Sequence, residues 1–160
     1  MKNLAILLLL SVPLIACTMP VNQDKDNLTG ASWELVKKIE VRPRHKTVYI
    51  QDGEVVTSGW KGNEYQPHCA VELKTFSKDR RSIKPDRFEI IKVNYDSKAI
   101  TETNSRYSIN MTVKSLQQPD ISQINCHHVD DHTADFISIA DMQKTMQGLF
   151  TLHLPEKSGK

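Results

Sequence analysis

The sequence predicts an α+β fold that is mostly β: a small antiparallel sheet, barrel or sandwich, with one short C-terminal helix. Three observations carry that prediction. Tyr107, Ile109, Met111 and Val113 alternate strictly with Ser108, Asn110, Thr112 and Lys114, the period of a strand with one solvated face. Short runs rich in β-branched and aromatic residues recur between turn-forming residues, the pattern of a β-rich domain. Helical spacing of apolar residues emerges near the C-terminus, at Ile139, Met142, Met146 and Leu149.

In chain order, residues 33–41 form the first expected strand, ended by Pro43. Residues 46–51 form the second, with Val48 and Ile50 on one face and Thr47 and Tyr49 on the other. Asp52-Gly53 is a hairpin turn, because glycine accepts the positive φ such turns require; residues 54–58 are the returning strand. A loop at 59–67 carries Trp60 and Tyr65. Residues 69–76 are a further strand, 77–86 a charged loop, and 88–95 a strand whose alternation does not identify an inner face. Residues 126–132 read as a polar loop. Ser138 and Asp141 make an N-terminal capping pair, Met142 and Met146 are packing residues, and Gly148 suits the helix stop. Residues 149–154 return to a strand. The expected total is six or seven antiparallel strands in one domain, residues 31–154.

The N-terminus follows a different logic. Lys2 precedes an almost unbroken apolar run at residues 4–15, the pattern of a secretory signal. As a helix rising about 1.5 Å per residue, the run reaches roughly 20 Å, short of the ~30 Å hydrocarbon core, and Pro13 weakens it further. A cleaved signal is therefore expected over a membrane span.

The run ends in Leu14-Ile15-Ala16-Cys17, which resembles the lipobox of bacterial lipoproteins. The resemblance implies diacylation of the Cys17 thiol by palmitate-type chains, cleavage before Cys17, and a third chain on the new amino terminus. Two or more chains anchor stably, at about 0.8 kcal/mol per buried methylene. Thr18 follows where an Asp would imply inner-membrane retention, so the implied address is the outer membrane, facing the periplasm. Residues 1–16 are then the signal, 17–30 a polar, lipidated tether, 31–154 the domain and 155–160 a tail.

Cleavage leaves 144 residues, enough for one domain with a real core. The formal charge of +2 falls to about +1 without Lys2, so no overall nucleic-acid footprint exists and no nucleic-acid partner is expected. With Cys17 assigned to lipid, Cys69 and Cys126 remain, and an oxidising compartment favours a disulfide between them. Free thiols or metal ligands are the alternatives. The sequons at Asn27 and Asn110 matter only in a eukaryotic secretory pathway.

The densest set of potential ligands is Cys126-His127-His128-Val129-Asp130-Asp131-His132, with His68 beside Cys69. Imidazole and carboxylate suit zinc, copper or nickel, so His68, His127, His128 and His132 define a candidate metal site. Against it, no His-Glu-x-x-His motif occurs, and consecutive strand residues face opposite ways. Beyond the lipid on Cys17, no cofactor is expected. A Gly-x-Ser-x-Gly elbow and a phosphate loop are both missing, and the carboxylates are scattered, so the chain is not read as an enzyme. Lys78, Arg80, Arg81, Lys84 and Arg87 form a basic stretch able to meet anionic headgroups or cell-wall carboxylates. Trp60 and Tyr65, with Arg80 and Arg81, make a possible contact patch.

Two phrases, Tyr65-Gln66-Pro67-His68-Cys69 and Ile83-Lys84-Pro85-Asp86, resemble segments of uncharacterised proteobacterial lipoproteins and imply no activity. The expected function is non-catalytic: binding an envelope protein or cell-wall partner, or supporting an assembly, at the membrane to which the lipid holds the chain. Metal binding or sensing is the second expectation, and an envelope hydrolase the third.

Overall fold

The computed structural model of the chain describes residues 28–56, 63 and 65–155. The signal segment, Cys17, Trp60 and nearly all of the tether and tail lie outside these residues. The described chain is mostly β, as the alternation predicts. In order it forms β1 (Ser32–Leu35), β2 (Ile39–Val41), β3 (Thr47–Gln51), β4 (Glu54–Val56), β5 (His68–Leu73), β6 (Arg81–Ile83), β7 (Asp86–Ala99), β8 (Asn104–Lys114), β9 (Ile121–Asp131), α1 (Ile139–Met146) and β10 (Phe150–His153). Eight strands make one curled antiparallel sheet, ordered β10-β1-β7-β8-β9-β5-β3-β4, and β2 pairs with β6 in a separate two-stranded sheet.

The curl is a half-barrel, and its concave side holds the core. Trp33, Phe88, Ile90, Met111, Ile124 and Ile50 are all fully buried there, with Met142 and Met146 of α1. Each such side chain contributes about 1.5–3 kcal/mol of apolar burial. The Trp33 indole N–H, which needs a partner once buried, donates to Met111 Sδ at 3.5 Å. Helix α1 contacts β10, β5 and β3, so it lies across the opening between strands far apart in the sheet. Ser138 caps it, its hydroxyl accepting from the Asp141 N–H at 3.1 Å. Gly148, at φ +73°, follows its C-terminal end.

At the β3–β4 turn both Asp52 (φ 51°) and Gly53 (φ 77°) are left-handed, the backbone of a type I′ hairpin. The Gly53 N–H donates to the Thr145 carbonyl at 2.8 Å, satisfying one of the acceptors that a helix C-terminus leaves open.

Four expectations are corrected. Ten strands form among the described residues where six or seven were expected. The single strand at 33–41 is two strands in two sheets. Apolar residues hold one phase at 33, 35, 39 and 41, but Lys37 occupies that phase in between. The chain leaves the main sheet there, with the Val36 N–H bonded to the Leu149 carbonyl at 2.8 Å. The charged loop at 77–86 contains β6, whose Ile83 is buried against the core. The polar loop at 126–132 is the second half of β9, which lies between β8 and β5. Its polar residues fall on both faces: His127 is half-buried on the convex side and His128, also half-buried, turns to the concave side, so no apolar/polar alternation marks the strand.

Candidate functional site

Two charged segments converge on one end of the half-barrel. Residues 37–46 and 78–84 carry nine lysines and arginines against Glu40 and Asp79, in a chain whose whole formal charge is +2. The backbone ties them together: the Arg44 N–H donates to the Ser77 carbonyl at 2.7 Å. Arg81 completes the tie. Its guanidinium donates to Asp120 Oδ2 at 2.8 Å, the Thr75 carbonyl at 2.9 Å and hydroxyl at 3.0 Å, and the His45 carbonyl at 3.3 Å.

Between these segments and the edge of the main sheet opens a cleft of about 530 Å³. Its walls are apolar, with Ile39, Val41, Val48, Val55, Val56 and Leu149, and its rim carries Lys38, Arg42, His45 and Arg80. Among the described residues, Glu40 is the one acid on the lining. A hydrogen bond from Lys38, at 2.6 Å, and the nearby charges of Lys38 and Arg80 hold its carboxyl below the usual range. It therefore stays ionised and offsets one rim cation, leaving the rim net positive.

The lining also fixes the orientation of β2. Five consecutive residues, Lys38 to Arg42, border the space. Alternate residues of a strand point to opposite faces, and an unbroken run of five bordering one cavity is what a strand presents along its edge. The other edge of β2 is taken by β6, with Ile39, Glu40 and Val41 opposite Ile83, Ser82 and Arg81. On β3, Thr47 and Val48 border the cleft where the pairing with β4, which begins at Tyr49 opposite Val56, has stopped.

The histidines do not converge as a set of four. Cys69 and Cys126 are directly opposite on β5 and β9 and form the disulfide, with Cα atoms 4.0 Å apart. Both point into the core. His68 and His127, one residue along, face the convex side with ring centroids 3.8 Å apart. Burial, then the neighbouring His68, Arg106 and His128, pushes the His127 pKa down to about 3, so the ring is neutral. His128 turns to the concave face and stacks on Tyr107, centroids 5.7 Å apart; burial lowers its pKa too. His132 lies at the far end of the hairpin, with Nδ1 2.6 Å from the Ser105 hydroxyl and Nε2 2.8 Å from the Glu102 carbonyl. A carbonyl only accepts, so Nε2 carries a proton and donates to it. That clasp ties the β7–β8 turn to the end of β9. Among the described residues no group of three or more metal-ligating side chains is assembled.

The contact patch is also divided. Tyr65 is 62% exposed and precedes β5, whereas Arg80 lies beyond the other end of that strand. Arg80 is on the cleft rim and Arg81 holds the loops behind it. Sequence reasoning singled out these two arginines but missed residues 37–42, because residues 33–41 read as one strand ended by Pro43. The signal available was five cations within residues 37–46.

Compared with protein-family models, curated proteins and solved structures, the chain matches none. Its own geometry therefore carries the functional argument.

Proposed function

We propose that this chain is an exported, lipid-anchored envelope protein whose domain binds an acidic partner without catalysing a reaction. The observation that carries the reading is the cleft beside β2, with apolar walls and a basic rim. Apolar walls reward burial, and the rim attracts and orients negative charge. The lipobox at Leu14-Ile15-Ala16-Cys17 supports the address, the outer membrane with the domain in the periplasm. A tether of about a dozen residues lets the domain search near the bilayer.

A photo-crosslinking side chain placed at Val55 on the cleft wall tests the reading in cells. The expected result is a discrete crosslinked partner, lost when Lys38→Glu and Arg80→Glu reverse the rim charge. A yield at Val55 no higher than at Lys98, on the distal half of β7, overturns it. Cys17→Ser tests the address separately: it should abolish incorporation of labelled palmitate and release the protein from the membrane fraction.

A further inference from the structure

We infer that the cleft takes its partner as an acidic, extended peptide segment added as a strand to the free edge of β2. This rests on the cleft being the binding site and names how the site is used.

Strand β2 belongs to a two-stranded sheet and pairs only with β6 among the described residues. Its second edge borders the cleft along its whole length. Such an edge presents backbone donors and acceptors at the spacing of another strand and is a template for β-augmentation. The size of the cleft fits the same occupant. A residue in a packed sheet occupies roughly 160 Å³, from a rise of about 3.4 Å, a strand spacing of about 4.8 Å and a sheet spacing of about 10 Å. The cleft of about 530 Å³ thus holds about three residues of strand, the length of β2 itself.

The chemistry of the cleft is divided between its two sides. An added strand sends alternate side chains to opposite sides. One side meets Val48, Val55 and Val56, and the other meets the rim at Lys38 and Arg80. An alternating apolar/acidic segment satisfies both. The chain's own charge blocks the wrong occupant, since a basic segment would meet the rim cations with like charge.

Three synthetic six-residue probes, each with a fluorophore, test this by anisotropy against the full chain in detergent. The first alternates Val with Asp or Glu. The second replaces its acids by Lys. The third keeps the acidic sequence but carries N-methyl groups on alternate amides, which removes backbone donors and leaves every side chain. The acidic probe is expected to bind at least about tenfold more tightly than both others. Lys38→Glu with Arg80→Glu should weaken it by a similar factor. Binding of the N-methylated probe, in both methylation phases, as tightly as the parent overturns strand addition, although the cleft remains the site. Failure of every probe alongside a retained crosslink at Val55 also overturns strand addition but not the binding reading. Failure of every probe with tight binding to vesicles containing an anionic phospholipid assigns the rim to a lipid surface and overturns the inference.

Discussion

Gly53 is required twice over. Its φ of +77° suits glycine, and a Cβ there would stand 2.5 Å from the Gln147 carbonyl oxygen. That oxygen belongs to the helix end on which the hairpin docks, so the backbone on both sides would have to move. Gly53→Ala is expected to destabilise the domain by about 1–3 kcal/mol, read from urea unfolding at neutral pH. His127 sets a second residue-scale outcome. In the fold its pKa is about 3 against 6.5 for an ordinary histidine, so between those values the unfolded chain binds the proton and the folded chain does not. Nothing is lost above pH 6.5. Below it, stability falls as pH drops toward 3, by up to about 1.4 kcal/mol per pH unit from this group. His127→Gln should flatten that part of the stability–pH profile, and an unchanged slope between pH 6 and pH 4 would contradict the assignment. The turn at Gly53 was legible as Asp52-Gly53. Its contact with Gln147 was not, because it joins residues 94 positions apart.

At the scale of elements, β9 shows where periodicity stops informing. Ile124 and Cys126 alternate inward, but Ser122, Gln123, Asn125 and His127 make the segment mostly polar. A convex face half-covered by neighbours tolerates such residues, and they hide a strand in the middle of the sheet. The disulfide clamps this strand to β5 across a sequence separation of 57. On the loop-entropy model, Cys69→Ala with Cys126→Ala should lower stability by about 4 kcal/mol, measured by denaturation of the oxidised parent and the double variant. Helix α1 was legible from both ends, through Ser138 and Gly148. Removing its cap with Ser138→Ala should cost about 1 kcal/mol, a smaller loss than that of the disulfide in the same assay.

Across the whole molecule, charge is sorted rather than dispersed. The two segments beside the cleft hold nine of the chain's 21 basic residues, whereas residues 129–143 hold four aspartates and no lysine or arginine. A net charge of +2 conceals this polarity. Because the rim is solvent-facing, its attraction for an acidic probe is screened as the Debye length shrinks from about 10 Å at 0.1 M salt to about 3 Å at 1 M. Binding of the acidic probe should weaken at least about tenfold over that range. Affinity that holds or rises with salt would place the driving force in the apolar walls alone.

The sequence by itself determined the mostly β class, the hairpin at Asp52-Gly53, the capped C-terminal helix and the pairing of Cys69 with Cys126. Each is written in neighbouring residues or in a short-range period, apart from the disulfide, which parity and an expected oxidising compartment favoured and the structure then formed. Only the tertiary structure decided that residues 33–41 divide between two sheets, that His128 turns away from His68 and His127, and that residues 37–46 and 78–84 share one rim. Those outcomes depend on strand order and register, which bring together residues far apart in the chain, and no local pattern encodes them.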